Sequence, residues 1–161
     1  PLVKTTKATD ENGDGVADRA WEDANLVAVA PRWKMWLAWD VTREVKTIRV
    51  HKKCAESLGL ILDAIALHYL SQERIEQQRL HLYGGAYNFR TMRGSHKLSM
   101  HAYGCAIDFD PNRNQLKWGR DKARLAQKDC EAFWKAWEAE GWISLGRIRN
   151  FDWMHIQAAR L

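Results

Sequence analysis

The spacing of apolar residues along the chain predicts two long helices and one short one. Between residues 51 and 77 apolar positions recur at intervals of three and four, which places them on one helix face. A second stretch, which Asp121 can cap, runs through Glu138 and ends at Gly141. A short helix is predicted to start at Pro31, because proline is favoured in the first helical turn. The predicted apolar faces of the long helices are Cys54, Leu58, Ile61, Leu62, Ile65 and Tyr69, and Ala126, Cys130, Phe133, Trp134 and Trp137.

Shorter stretches with apolar residues predict β-strands. They are VKTIRV (45–50), RLHLYG (79–84), GCAIDFDP (104–111) and WMHIQ (153–157). In the third, polar and apolar residues alternate, so that Asp108 and Ile107 lie on opposite faces. Residues 86–98 are polar and predict a loop. Helices and strands do not alternate regularly, and the pattern therefore predicts an α+β fold with a small, mostly antiparallel sheet flanked by helices.

Length and composition favour one globular unit. We expect residues 1–161 to form a single domain, with a polar, turn-rich segment over residues 1–30. No apolar run approaches the roughly 18–20 residues that cross a bilayer, and the N-terminus shows no signal peptide, so we expect no membrane span. The net charge is +5, but no block of like charges occurs, and no nucleic-acid partner is predicted. We expect a monomer with three free thiols.

The densest group of chemically active residues is SMHAYGCAIDFD, residues 99–110. His101 precedes the predicted strand and Asp108 lies within it, a spacing that allows the two side chains to meet. Near the end of the chain, Asp152 lies three residues before His155. Two imidazoles and one carboxylate are a common catalytic zinc set, and zinc activates water for hydrolysis. A hydrogen-bonded structural role is our interpretation of the other histidines, which are His51, His68, His81 and His96.

Three short motifs resemble one known family. The run Ser99-Met-His101-Ala-Tyr-Gly104-Cys-Ala106-Ile-Asp108 matches the pattern SxHxxGxAxD of the zinc D-alanyl-D-alanine carboxypeptidases and their relatives, the L-alanyl-D-glutamate endopeptidases of phage endolysins. Asp152-Trp-Met-His155 is similar to the family's second motif, an acidic residue three positions before the last zinc-binding histidine. Tyr87-Asn-Phe-Arg90 resembles its aromatic stretch that ends in arginine. In the order of elements, the resemblance covers about residues 45–158.

The resemblance implies a role for each motif residue. The implied zinc ligands are His101, Asp108 and His155. Asp152 is implied as the general base, and Arg90 as the cation that stabilises the developing oxyanion. Arg93 is the alternative to Arg90. Ser99 is expected either to bind the substrate or to orient the loop, and Gly104 to serve backbone geometry. After His155, relatives often carry an aromatic and then an acidic residue, whereas this chain has Ile156 and Gln157, so we expect different surroundings for the zinc.

The same resemblance implies the function. We expect zinc-dependent hydrolysis of an amide bond in the stem peptides of peptidoglycan, of the L-Ala-D-Glu endopeptidase type. This activity, together with the absence of a signal peptide, favours a phage or prophage endolysin. Such a bacteriolytic enzyme is held in the host cytoplasm before it is released to act on the cell wall. A D,D-carboxypeptidase or dipeptidase is the alternative within the class. The alternative outside this class is a non-catalytic wall-binding or virion module that retains the zinc site. Asp152 argues against this alternative, because a purely structural site has no need of a base three residues from its ligand.

A second metal site is suggested near the N-terminus. Residues 10–18 match the first nine positions of an EF-hand calcium loop, with glycine at the sixth position. The candidate calcium ligands are Asp10, Asn12, Asp14 and Asp18. The twelfth position, where a bidentate glutamate is required, is Trp21, and Glu22 follows one residue late. An ordinary turn rich in Asp, Asn and Gly explains the same residues equally well.

Overall fold

The computed structural model describes Asp10 and residues 13–160 of the chain. Five α-helices and eight β-strands lie within these residues. The helices are α1 (Arg19–Asn25), α2 (Lys52–Tyr69), α3 (Gln72–Gln77), α4 (Glu131–Ala139) and α5 (Leu145–Arg149). The strands are β1 (Leu26–Val29), β2 (Trp36–Leu37), β3 (Asp40–Glu44), β4 (Ile48–His51), β5 (Leu82–Gly85), β6 (Ala106–Phe109), β7 (Ile143–Ser144) and β8 (His155–Gln157). The predicted α+β class is confirmed.

Six strands form one sheet in the order β3-β2-β5-β6-β8-β7. Neighbours in this sheet run antiparallel, except that β2 and β5 are parallel. Strands β1 and β4 form a separate antiparallel pair. The prediction of a small, mostly antiparallel sheet is confirmed. Because β6 and β8 are neighbours, the two motifs that lie far apart in sequence are brought side by side.

Helix α2 supplies one wall of the core. Its buried side chains are the six that the apolar period predicts, and each burial of a large aliphatic group stabilises the fold by roughly 1.5–3 kcal/mol. The predicted single helix over residues 51–77 is wrong in one respect, because the chain contains two helices there. Leu70 adopts the left-handed conformation (φ 64°) and ends α2, and the Ser71 hydroxyl then accepts the Arg74 N–H to cap α3.

The helix predicted at Pro31 is wrong. The backbone N–H of Trp36 donates to the His81 carbonyl, and that of Ala38 donates to the Tyr83 carbonyl. These bonds draw the segment into the sheet, where Met35 is fully buried. Hydrogen bonds to β5 and burial in the core outweigh the local helical preference of this sequence.

The helix predicted from Asp121 begins ten residues later, at Glu131. The segment before it forms two 3-10 turns, Arg124–Ala126 and Lys128–Cys130. The Leu125 N–H donates to the Asn114 side chain at 2.8 Å, so this N–H does not form an α-helical hydrogen bond. Side-chain bonds therefore fix this segment in a non-helical form. No helix in the described part of the chain is both long enough and apolar enough to cross a membrane.

Candidate metal centre

Three predicted ligands meet at one point of the sheet. Atoms of His101, Asp108 and His155 that can hold a metal all lie within 4.8 Å of one another. Asp108 Oδ1 lies 3.3 Å from His101 Nε2 and 3.0 Å from His155 Nδ1. Within residues 13–160 and Asp10, no other group of three histidine, cysteine or acidic side chains has such a geometry.

Strand pairing places Asp108 and His155 together. They are direct partners in the antiparallel ladder between β6 and β8. On the other side of β6, Gly84 comes so close to the strand that an added Cβ would lie 2.9 Å from the Asp108 Cβ. The absence of a side chain at Gly84 therefore allows β5 to pack tightly beside the metal-site carboxylate.

A capped 3-10 turn, Met100–Tyr103, places His101 beside the strands. The Ser99 hydroxyl accepts the His101 backbone N–H at 3.3 Å, and Ser99 is only 5% exposed. The turn ends at Gly104, which has a φ of 69° and approaches the His51 backbone so closely that a Cβ would lie 2.8 Å from its nitrogen. This geometry fits the loop-orienting alternative for Ser99 and the backbone role of Gly104.

The far ring nitrogen of each histidine already has a hydrogen-bond acceptor. His101 Nδ1 lies 2.6 Å from the Ala86 carbonyl oxygen and donates to it. His155 Nε2 lies 2.9 Å from Gln157 Oε1 and donates to it. In the neutral imidazoles the nitrogens that face Asp108 are then unprotonated and are the atoms that bind metal, whereas an imidazole that takes up a second proton donates it to Asp108 instead. Three electron-pair donors directed at one point fit a divalent cation, and a set of two histidines and one aspartate fits zinc.

The electrostatics of the site favour positive charge at the same point. Burial raises the pKa of Asp108, but hydrogen bonds from His101 and His155 outweigh it and hold the pKa well below its usual range. Burial lowers the pKa of His155, but the hydrogen bond and the charge of Asp108 outweigh it and raise the pKa. Asp108 therefore stays ionised, and its negative charge is balanced either by a protonated imidazole beside it or by a metal ion.

Asp152 lies beside the three ligands without belonging to the group. Its backbone is left-handed (φ 55°), and its N–H donates to the Leu116 carbonyl at 2.8 Å. Burial raises its pKa, although the nearby charges of His155, His101 and Arg90 lower it in part. The shift favours proton uptake by this carboxylate, as general-base work requires. A residue held in a sparsely populated conformation is common at functional sites.

The turn that carries Asp152 is held from both sides. Asn150 Oδ1 accepts the Arg120 backbone N–H at 2.7 Å and the Trp153 indole N–H at 3.2 Å. Trp153 in turn lies against Gly146, where an added Cβ would come within 2.4 Å of the indole. These contacts fix the direction of the chain immediately before β8.

An open cavity of about 350 Å³ borders the ligands His101 and Asp108. Arg90 lies in its wall, and its charge acts on Asp152. Arg93 is exposed and does not line this cavity. The structure thus places Arg90, rather than Arg93, beside the ligands. The sequence indicated that Gln157 alters the surroundings of the zinc but not that it bonds His155, and it gave no sign of Trp39 in the cavity wall.

Residues 93–158 match the model of a family described as D-alanyl-D-alanine carboxypeptidase. The matched segment contains all three metal-ligand candidates and Asp152. The protein is a zinc metallopeptidase. The resemblance drawn from the motifs is thereby confirmed at family level over this segment, and the family implies a substrate related to peptidoglycan. No curated protein and no solved structure is significantly similar to the chain.

Much of the peptidase's cavity wall lies before the matched segment. Gly84, Gly85, Tyr87 and Arg90 precede residue 93, as does Trp39. The ligands therefore come from the family segment, whereas this wall comes from elements that the family match does not cover.

The candidate calcium loop is described only in part. Asp10 Oδ1 and Oδ2 accept backbone N–H groups of Asp14 and Gly15, at 3.1 and 2.9 Å. This is the geometry of a turn closed by an aspartate side chain. Asn12 lies outside the described residues, and the described acidic residues of the loop form no three-ligand group. Calcium binding here stays a prediction.

Proposed function

We propose that the protein hydrolyses an amide bond in the stem peptide of peptidoglycan, as an endopeptidase of the phage endolysin type. The observation that carries the proposal is a group of three metal ligands, two of which line an open cavity together with an arginine, with a half-buried carboxylate beside them. The family match supports a peptidase with this substrate class. Storage in the host cytoplasm before release belongs to the same proposal.

His101, Asp108 and His155 would hold the zinc ion. When bound, zinc supplies a Lewis acid that polarises a carbonyl and activates water. Asp152 takes a proton from the attacking water and delivers it to the amine that leaves. The Arg90 guanidinium stabilises the negative charge that develops on the carbonyl oxygen. Gln157 and the Ala86 carbonyl keep the two imidazoles in the tautomers that bind metal.

The site has the features of a catalytic rather than a structural zinc centre. A structural site is closed by four protein ligands, whereas this group has three and borders a cavity. Among the described residues, the Asp152 carboxylate has no hydrogen-bond or ion-pair partner that would tie it to the fold, yet it is half-buried beside the ligands. A non-catalytic wall-binding or virion module has no need of a carboxylate in this position.

The surface beside the cavity suits an acidic substrate. The chain folds back on itself over residues 90–99, with the Met92 N–H donating to the Lys97 carbonyl and the Ser99 N–H donating to the Arg90 carbonyl. This hairpin exposes Arg90, Arg93 and Lys97, and no ion pair to another described residue involves them. A peptide that contains D-glutamate carries carboxylates that these cations would attract.

The alternative within the class is a D,D-carboxypeptidase, the activity that the family description names. Mass spectrometry of the products separates the two. An endopeptidase that cuts after L-alanine exposes a new amino terminus on D-glutamate and leaves the stem-peptide terminus intact. A carboxypeptidase releases free D-alanine from pentapeptide stems. Digestion of purified muropeptides with pentapeptide stems should therefore yield the D-glutamate terminus, and release of D-alanine alone would favour the carboxypeptidase.

A further inference from the structure

Trp39 is the one exposed residue among nine tryptophans, all of which lie in the described part of the chain. Its exposed fraction is 66%, and it stands in the turn between β2 and β3. Other indoles are tied to the fold through their N–H groups, as in Trp33, Trp134 and Trp142. Among the described residues, Trp39 has no hydrogen-bond or ring partner. Packing within the protein therefore does not account for this side chain.

Sheet geometry places Trp39 in line with the metal ligands. The Ala38 N–H donates to the Tyr83 carbonyl at 2.9 Å, which fixes the chain next to β5 immediately before Trp39. On the far side of β5, Gly85 pairs with Asp108 of β6. The backbone next to Trp39 is thus separated from β6, which carries Asp108, by the width of β5, about 10 Å across two strand spacings. Trp39 and the ligands His101 and Asp108 line the same cavity.

Strand β5 lies between β2 and β6, and the two β5 residues that line the cavity, Gly84 and Gly85, have no side chains. An added Cβ at Gly85 would meet nothing within 4 Å. A substrate bound at the metal can therefore lie along the β5 backbone until it reaches the indole. An extended peptide covers about 10 Å in three residues, so the contact falls two to three units from the bond that is cut.

We propose that Trp39 is a specificity-determining residue that packs against a saturated C–H surface of the substrate, two to three units from the scissile bond. This inference rests on the proposed function. An indole that is two-thirds exposed offers a large apolar face, and covering it gives a favourable contact without rearranging the fold. Two parts of peptidoglycan carry the required surface, the sugar ring of the glycan strand and an aliphatic side chain of the stem peptide.

Binding is measured by calorimetry in zinc-loaded Asp152→Asn protein, so that substrate is not consumed. The ligands are a disaccharide-peptide muropeptide and the same peptide without its sugars. Trp39→Ala should weaken muropeptide binding about tenfold or more, and Trp39→Phe should weaken it less. Val41→Ala is the matched control, because Val41 is 61% exposed on the same hairpin and does not line the cavity. Zinc content and Tm of each variant confirm an intact site and fold.

The two ligands identify the surface that Trp39 contacts. A Trp39→Ala effect that is confined to the muropeptide assigns the contact to a sugar ring, and an equal effect on both ligands assigns it to the stem peptide. Equal affinity of the Trp39→Ala protein and its parent for both ligands, or no binding by the parent, would overturn the inference. Turnover is measured separately in protein that retains Asp152. Binding that depends on Trp39 without any turnover would contradict the proposed function and leave this inference standing.

Discussion

Gln157 Oε1 lies 2.9 Å from His155 Nε2, on the side of the imidazole that faces away from Asp108. The Gln157 amide nitrogen donates to the backbone carbonyls of Ala159 and Arg160, at 3.0 and 3.2 Å. These two bonds fix which end of the amide faces the histidine. Gln157 is 4% exposed, so water cannot easily replace its oxygen. Gln157 therefore holds His155 with Nδ1 free to bind the metal.

Gln157→Leu should weaken zinc binding about 10- to 100-fold, because the imidazole loses the acceptor that fixes its tautomer and orientation. Gln157→Glu keeps an acceptor and should retain zinc. Competition with a chromogenic chelator measures the affinity directly. Gln157→Leu protein with unchanged zinc affinity would show that His155 is held by other contacts.

Replacement of Asp152 should separate catalysis from metal binding. Asp152→Asn keeps the size of the side chain and removes the base, so turnover of a stem-peptide substrate should fall about 10²- to 10⁴-fold. Zinc content and Tm should stay close to those of the unaltered protein, because Asp152 is not one of the three ligands. Activity close to normal in the Asp152→Asn protein would remove the proposed role of this residue.

Replacement of His101 should abolish tight zinc binding, because two ligands remain of three. Metal that binds only the folded state raises Tm, so added zinc should stabilise the chelator-treated parent protein and not the His101→Ala variant. His96→Ala is the control, since His96 is exposed on the neighbouring hairpin and outside the ligand group. An equal zinc-dependent rise of Tm in both variants would contradict the assignment.

The ion pair between Arg79 and Asp110 should contribute strongly to stability. Arg79 bonds the carboxylate through two nitrogens, at 2.6 and 3.1 Å, and the Asp110 side chain is 1% exposed. Asp110→Ala removes one partner, and the free energy of unfolding in urea should fall by up to about 3–5 kcal/mol. Asp63→Ala breaks the exposed pair with Arg32 and should cost at most about 1 kcal/mol. Similar losses in the two variants would contradict the distinction between a buried and an exposed pair.

The parts of the fold with a strong local signal were predictable from the sequence. The buried face of α2 follows from its period, and the residues of the metal-ligand group follow from two short motifs. The hairpin of β2 and β3 was missed because Pro31 and the helical spacing of Trp33 and Trp36 favour a helix locally. Pairing with β5, which lies far along the chain, decides the outcome there.

Contacts made by particular side chains could not be predicted from the sequence pattern either. The substitution of Gln157 for an acidic residue was visible, but its bond to His155 depends on the backbone of Ala159 and Arg160, which orients the amide. The exposure of Trp39 depends on where β2 ends against β5. Neither relationship leaves a periodic signal along the chain.

The central claim, zinc-dependent cleavage of peptidoglycan stem peptides, is tested most directly by digestion of purified peptidoglycan. Zinc-loaded protein, chelator-treated protein and chelator-treated protein with zinc restored are compared, and new amino termini are quantified by mass spectrometry. The account predicts new D-glutamate termini that disappear on chelation and return with zinc. Failure of folded, zinc-loaded protein to release any new terminus, or cleavage that survives full removal of the metal, would contradict it.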